Sequence, residues 1–359
     1  MTPMTPQLDR TPDLAVNKAT EWFLPAAYTR RTLHRERARA NRTGEHLSLL
    51  SFQFPETLAR SFAWPELARC IRARLRCTDE AGWLEEGTRV GVILPATPAS
   101  GAWKLADDII LELAEGSPRP ECIVYTHGSG TGAMTGENTE GEVGESEDRV
   151  CQSLDLLFIQ PLPIWKRTLD IVLSATALLV FSPMLALIAL IVKLTSPGPA
   201  FFRQRRAGRG GRVFVMLKFR TMCADAESRK AALRAQSEQD GPAFKLRQDP
   251  RVTRIGKILR TTSLDELPQL WNVLRGEMSI VGPRPLPCDE MDACDRWQRQ
   301  RLDVQPGLTC IWQVSGRSRV SFVEWIRMDL RYIRSRSIWQ DIKLIIMTVP
   351  AVLFRRGAH

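Results

Sequence analysis

Asp265 and Glu266 are adjacent carboxylates, with Arg260 five residues upstream and the turn Gly282-Pro283-Arg284-Pro285 downstream. Paired acids among arginines suit one kind of chemistry. A hard cation such as Mg²⁺ takes carboxylate oxygens, and arginine forks onto phosphate oxygens, so the group points to a phosphorylated substrate. The plainer alternative is that both acids merely cap a helix at the positive end of its dipole.

A helix must position them. Leu267, Leu270, Trp271 and Leu274 recur at i, i+3, i+4 and i+7, which predicts one buried helical face. Pro268 fits only in a first turn, so the helix begins just upstream of it. Ser263 and Glu266 have capping-box spacing, and Asp265 serves equally well as the N-cap.

A chain of 359 residues predicts two domains, and charge separates them. Residues 1–150 carry 17 Lys/Arg and 22 Asp/Glu, a net of −5; residues 151–359 carry 33 and 18, a net of +15. The second half therefore faces something anionic: phospholipid, nucleotide phosphate or nucleic acid. The eight cysteines show no CxxC or zinc-like spacing and read as reduced cytoplasmic thiols. The first 40 residues lack a continuous apolar core, so no signal peptide is expected.

Residues 1–45 read as a basic, solvated N-terminal arm with at most a short helix. Residues 46–125 read as a small α/β domain, with strands at Leu47–Phe54 and Val90–Leu94 and helices at Ala63–Leu75 and Gly101–Ala114. Residues 126–160 read as a flexible acidic linker. Gly128–Gly132 lacks the Lys-Ser/Thr and following apolar helix that a phosphate loop requires.

From Ile171 to Val192 the chain runs 22 residues without a charge, enough to cross roughly 30 Å of hydrocarbon. Ser182-Pro183 sits at the middle, and both flanks are basic: Lys166 and Arg167 before, Lys193, Arg203, Arg205 and Arg206 after. A crossing segment cannot satisfy the positive-inside rule at both ends, whereas one bent at Ser182-Pro183 returns to the same face. The competing reading is an ordinary kinked transmembrane helix. Beyond it lie a basic hairpin over 198–222, a charged helix over 224–239 and another over 288–304. A helical amphipathic tail over 322–354 is suited to the headgroup plane.

Residues 164–357 resemble the bacterial sugar transferase family, the monotopic polyprenyl-phosphate glycosyl-1-phosphate transferases. The likeness runs through Lys166-Arg167 and Asp170, Ser182-Pro183, Pro197-Gly198-Pro199 and Lys218-Phe219-Arg220-Thr221-Met222. It continues through Asp249-Pro250-Arg251 and Thr253, Arg260, Ser263–Asn272, Met278-Ser279 and Val281–Pro285. Pro306-Gly307-Leu308-Thr309 and Trp312-Gln313-Val314-Ser315-Gly316-Arg317 complete it. Cys310, where glycine is usual, and Ser315, where asparagine is common, depart from the pattern without touching the acidic pair.

The resemblance implies an enzyme that moves a sugar-1-phosphate from a UDP-sugar onto undecaprenyl phosphate at the cytoplasmic face of the inner membrane, releasing UMP in surface-glycan synthesis. Asp265 would be the nucleophile and Glu266 would help hold Mg²⁺, while Arg260, Arg284, Lys218 and Arg220 would grip phosphate oxygens. The implied fold is α+β, with a re-entrant helix over 166–194 broken at Ser182-Pro183 and amphipathic interfacial helices. A homodimer is compatible with it.

Residues 46–125 resemble, more distantly, a degenerate diguanylate-cyclase-like domain, through Arg76, Thr78-Asp79, Leu94-Pro95 and Gly101-Ala102. Glu85-Glu86-Gly87-Thr88-Arg89 stands where that family's signature would be, which excludes cyclase activity. The rival readings are a membrane-anchored scaffold with a structural acidic pair and a nucleic-acid binder. The long apolar segment and the absence of a basic-aromatic repeat argue against nucleic acid.

Overall fold

The computed structural model describes residues 20–55, 63–127, 151–223, 225–234, 237–244, 246, 248–315 and 320–353. These form two units, divided between Leu157 and Phe158.

The first unit runs α1 (Ala26–Thr43), β1 (Leu47–Gln53), α2 (Ala63–Arg74), β2 (Glu80–Glu85), β3 (Arg89–Pro95), α3 (Ala99–Leu111), β4 (Glu121–His127) and β5 (Gln152–Ser153). The sheet order is β2-β3-β1-β4-β5. Central β1 is antiparallel to both neighbours, so Leu50 faces Val92 on one side and Val124 on the other. Trp64, Leu67 and Ile71 of α2 join Leu50, Phe52 and Phe54 in the core, as the apolar spacing requires. Glu85-Glu86-Gly87-Thr88-Arg89 forms the β2–β3 turn, where Gly87 takes a left-handed φ of 72°.

Two expectations change here. Residues 26–43 are an 18-residue helix, not a solvated arm, and Thr29, Leu33, Arg37 and Ala40 make its buried stripe. An arginine can sit in such a stripe because Arg37 meets Asp155 at 2.8 Å, which compensates its charge. The acidic linker is also shorter than residues 126–160. Residues 128–150, including the rejected phosphate-loop stretch, lie outside the described residues. By Gln152 the chain has rejoined the sheet in parallel with β4, and Leu154 is fully buried.

The second unit begins with α4 (Ile164–Thr195), followed by the antiparallel hairpin β6 (Phe201–Ala207) and β7 (Val213–Phe219). Then come α5 (Lys230–Leu233), α6 (Arg254–Thr261), a 3₁₀ turn at Leu264–Glu266, α7 (Gln269–Arg275) and β8 (Ser279–Val281). The chain closes with α8 (Cys288–Asp292), α9 (Arg296–Arg299), β9 (Gly307–Thr309), α10 (Ile311–Ser315), α11 (Phe322–Ser335) and α12 (Ile338–Leu353). β8 and β9 pair in parallel. Met216, Val273, Met278, Val281 and Tyr332 form the core that ties hairpin, α7, β8 and α11 together.

Helix α4 is long and apolar enough to cross a membrane by length and composition. Pro183 lies inside it without ending it. Proline cannot donate to the carbonyl four residues back, that of Leu179, and the Ser182 hydroxyl donates to that oxygen instead at 2.8 Å. The segment therefore stays helical through Pro183, where sequence reasoning placed a break; the missing donor and the ring still make Ser182-Pro183 the point at which α4 bends most readily.

Both ends of α4 are fastened to the same unit. Near its start, Lys166 is buried and donates to Val281 O (2.9 Å), to Tyr332 Oη (3.1 Å) and to Asp341. Arg167 donates to the carbonyls of Val273 and Leu274, satisfying the C-terminal end of α7. Asp170 accepts from Ser279 Oγ and Ile280 N. Near the other end, Ile188 and Val192 pack on Phe219 and Leu259. Between these anchors Leu179, Val180 and Leu187 are exposed, an apolar surface water would penalise. Lys166, read from sequence as one of the basic flanks, is an internal anchor instead.

Other elements are shorter than their charge patterns suggest. Among the described residues of 224–239 only Lys230–Leu233 is α-helical. The segment 288–304 breaks into α8, α9 and a 3₁₀ turn, the second helix restarted by the Asp295–Gln298 capping box. The tail is two helices. Phe322, Trp325, Ile326, Tyr332 and Ile333 of α11 are core residues, so the apolar face of α11 is buried within the unit. On α12, Trp339 and Ile346 are exposed while Asp341 and Leu344 are buried.

Candidate active site

The acidic pair lies in the connection between α6 and α7. Thr253 caps α6 by accepting from Gly256 N at 2.9 Å. Gly256 lets α6 close on the end of β7, since a Cβ there would stand 2.0 Å from Thr221 O. That approach brings Arg260 to Thr221, whose hydroxyl accepts from Nε at 3.0 Å.

After α6 the chain reverses through Ser263, which adopts a left-handed φ of 57°. A non-glycine residue in that region is strained, and here the strain sits two residues before Asp265. Leu264–Glu266 then makes one 3₁₀ turn and α7 starts only at Gln269. The pair is therefore not the first turn of one long helix, and Ser263 makes no side-chain cap. The predicted buried face also shifts: Gln269, Leu270, Asn272 and Val273 are buried whereas Trp271 is 48% exposed.

Asn272 is a site-building residue that the spacing did not single out. Its amide donates to Val215 O and Glu277 and accepts from Leu217 N, holding α7 against β7. The hairpin then delivers Lys218, which donates to Glu266 Oε1 at 2.9 Å. From β8 and its following turn comes Arg284, whose Nη1 donates to Glu266 Oε2 at 3.2 Å while Nη2 donates to Oε1. Asp265 is 7% exposed and accepts a hydrogen bond from no described residue. Two adjacent carboxylates thus differ: one is saturated by cations, the other receives no donor from the described residues.

Their protonation follows. Burial pushes the Asp265 carboxyl up to about 6, with Glu266 adding to the rise and Lys218, Arg260 and Arg284 offsetting part of it. Burial alone would raise Glu266 too, but Arg284 and Lys218 outweigh it and hold that carboxyl far below the usual range. At neutral pH both are ionised.

Arg220 is placed differently from its three companions. It is buried, and Nη2 donates to Ser196 O and Oγ, both at 2.7 Å, while Nη1 abuts Gly198, so it braces the loop after α4. Arg206 was read from sequence only as part of a basic flank. It sits beside Arg284 and is brought down to about 10 by burial and that neighbour.

These side chains line one open cleft of about 2460 Å³. That exceeds the roughly 300–1,000 Å³ typical of a single small-molecule site, which leaves room for two substrates. One rim is apolar, with Phe181, Phe201, Phe202, Ile345 and Val349 contributed by α4, β6 and α12. Among the described residues no three His, Cys, Asp or Glu side chains form a metal cage. Asp265, a buried carboxylate that accepts from no described donor, and its neighbour Glu266 have the oxygen-ligand chemistry of a hard-cation site that takes its remaining ligands from phosphate.

Residues 162–355, more than half of the chain, match the family described as bacterial sugar transferase. The chain belongs to the bacterial sugar transferase family. It is 45% identical over 197 residues to the galactosyl transferase CpsE of Streptococcus agalactiae, covering 54% of this chain and 43% of that protein. It is 45% identical over 204 residues to the UDP-glucose:undecaprenyl-phosphate glucose-1-phosphate transferase of Caulobacter vibrioides, covering 54% and 72%. With the exopolysaccharide production protein ExoY of Rhizobium meliloti it shares 42% over 198 residues, covering 54% and 88%. The chain thus spans less than half of the Streptococcus relative and most of ExoY. Among solved structures, the GGDEF domain of TpbB (YfiN) from Pseudomonas aeruginosa aligns with TM-score 0.25 and 23% identity over 30% of this chain and 73% of that one. The sugar transferase match lies wholly within the second unit, the one that carries the cleft.

Proposed function

We propose that this sugar transferase moves a sugar-1-phosphate from a UDP-sugar to undecaprenyl phosphate. The observation that carries the reading is the asymmetry of the pair: Asp265 is buried, ionised and free, beside a Glu266 neutralised by Lys218 and Arg284. The Caulobacter relative, named for this reaction with glucose, supports it.

An Asp265 carboxylate oxygen attacks the β-phosphorus of the UDP-sugar. The bond from that phosphorus to the bridging oxygen breaks, its electron pair leaves with UMP, and the sugar phosphate is esterified to Asp265. An oxygen of undecaprenyl phosphate then attacks the same phosphorus, the aspartyl bond breaks and the carboxylate returns. Arg284, Lys218 and Arg260 bind the transferring phosphates, exchanging contacts with Glu266 for phosphate oxygens. Asp265 and Glu266 are the residues that would hold a Mg²⁺ ion, which would supply neutralisation of the phosphate charge.

The apolar rim suits the polyprenyl chain, which enters from lipid while its phosphate reaches the polar floor. The cytoplasmic, re-entrant arrangement of α4 is supported by its anchors. Lys166 and Asp170 at one end and Val192 at the other pack on a single unit, with the exposed apolar stretch between. A crossing helix would carry one end to the far side of the bilayer.

The test is incubation of the detergent-solubilised protein with Mg²⁺, undecaprenyl phosphate and a panel of UDP-sugars, scoring UMP. UMP with one or two sugars, lost in Asp265→Asn, together with a phosphosugar mass on Asp265, is the expected result. UMP formation unchanged by Asp265→Asn would overturn the proposal.

A further inference from the structure

Arg284 lies between Pro283 and Pro285, both without a backbone N–H. The turn cannot be held through those donors, and three successive carbonyls are held instead by three separate parts of the unit. Pro283 O accepts from Gly307 N at 2.8 Å, Arg284 O from Arg301 Nη2 at 2.6 Å, and Pro285 O from Arg206 Nη1 at 2.8 Å. The proline rings stiffen the segment, so fixing its carbonyls fixes the direction in which the Arg284 guanidinium leaves.

The middle contact has an unusual source. Arg301 is 2% exposed and lies outside the catalytic cleft, so it cannot bind substrate directly. The same Nη2 that meets Arg284 O also donates to Asp329 Oδ2 at 2.6 Å, and the guanidinium stacks 5.4 Å from the Trp325 ring centre. Asp329 is itself 1% exposed and belongs to α11. A buried ion pair is expensive to desolvate and often replaceable by apolar packing for stability alone. Its persistence behind a phosphate-binding arginine calls for a geometric reason.

We infer that the buried Arg301–Asp329 pair is a positioning device for transfer, aiming Arg284 at Glu266 and the substrate phosphate through the Arg284 carbonyl. This rests on the transferase reading above. Arg301 touches no substrate; α11 and Asp329 hold it, and it holds the turn.

The test is a double-mutant cycle with Arg284→Ala, using Arg301→Met/Asp329→Leu so that no charge is left buried and alone. Two readouts are taken: kcat/KM for UMP formation, and Tm at pH 7.5. In the otherwise native protein the pair replacement should lower kcat/KM roughly 10- to 100-fold, as misplacing a binding group does. It should also lower Tm by more than it does in the Arg284→Ala background, because only with Arg284 present does it disturb the Arg284–Glu266 contact. With Arg284→Ala already present, it should leave kcat/KM unchanged.

Equal effects in both backgrounds would overturn the inference and make the pair a stability element only. If the double replacement does not fold, Arg301→Lys, which keeps the charge but not the fork, carries the same cycle. Should the native protein release no UMP, the transferase reading fails while the Tm cycle still decides whether the pair acts on Arg284.

Discussion

Arg284 places both terminal nitrogens on the two oxygens of Glu266, while Asp265, the preceding residue, receives no donor from any described residue. The contact divides the labour of two neighbouring acids. Glu266 organises the cations; Asp265 is left desolvated and without a donor from the described residues, the condition the proposed nucleophile requires.

Replacing Asp265 by Asn should therefore do two opposite things. UMP formation should fall at least about 1,000-fold, as expected when a nucleophile is removed. Stability at pH 7.5 should rise by about 1–3 kcal/mol. The folded carboxyl sits near 6 against an ordinary 3.8, so folding binds its proton more tightly, and the native protein loses stability as pH rises from about 4 to 6. A neutral amide escapes that loss. Thermal unfolding at pH 7.5 and at pH 4 checks it, with the difference between variants present at the first and absent at the second.

The same ionisation sets a pH dependence for the reaction. The proposed attack by Asp265 requires the carboxylate, so kcat/KM should rise as pH increases through a midpoint near 6 and level off above it. Bound Mg²⁺ favours the charged form and should move the midpoint down as its concentration is raised. Initial rates between pH 5 and 8 at two Mg²⁺ concentrations measure both; a flat profile would contradict the nucleophile assignment.

Glu266→Gln should destabilise where Asp265→Asn stabilises. Glu266 has a depressed carboxyl, so its contribution is present above its unfolded value and is lost as pH falls. Without the charge, Lys218 and Arg284, each about one-fifth exposed, lose the one carboxylate that both contact. A loss of about 3 kcal/mol in denaturant unfolding at pH 7.5 is expected.

Lys166 and Asp341, 2% and 1% exposed, join the start of α4 to α12. Asp341→Asn leaves Lys166 buried without its counter-charge and should cost about 3–5 kcal/mol. Protease accessibility of the α12 segment should rise before the rest of the unit unfolds. Cleavage there no faster than in the native protein would show that the pair does not hold α12.

For the membrane arrangement, single reporter cysteines in a cysteine-free background, Trp165→Cys and Lys193→Cys, bracket the apolar stretch. Both should react with an impermeant thiol reagent from the cytoplasmic side of the membrane and neither from the opposite side. Labelling from opposite sides would mean that α4 crosses.

Several features could be read without coordinates because they are local. The 22 uncharged residues of α4, the strands at Leu47 and Val90, the basic hairpin and the adjacency of Asp265 to Glu266 depend only on composition, period and order. Which acid is free and which is neutralised depends on Lys218 and Arg284, brought from 48 and 18 residues away by β7 and the turn after β8. Arg37 falls in the stretch read as a solvated arm, Lys166 in a basic flank and Arg301 in the charged segment 288–304, because sequence assigns an arginine or lysine to solvent by default. Their burial was decided by Asp155, Asp341 and Asp329, each distant in the chain and each supplying the counter-charge that makes a dry environment tolerable. The chemistry was written in neighbouring residues, whereas its division of roles rests on charges that only tertiary folding brings within 3 Å.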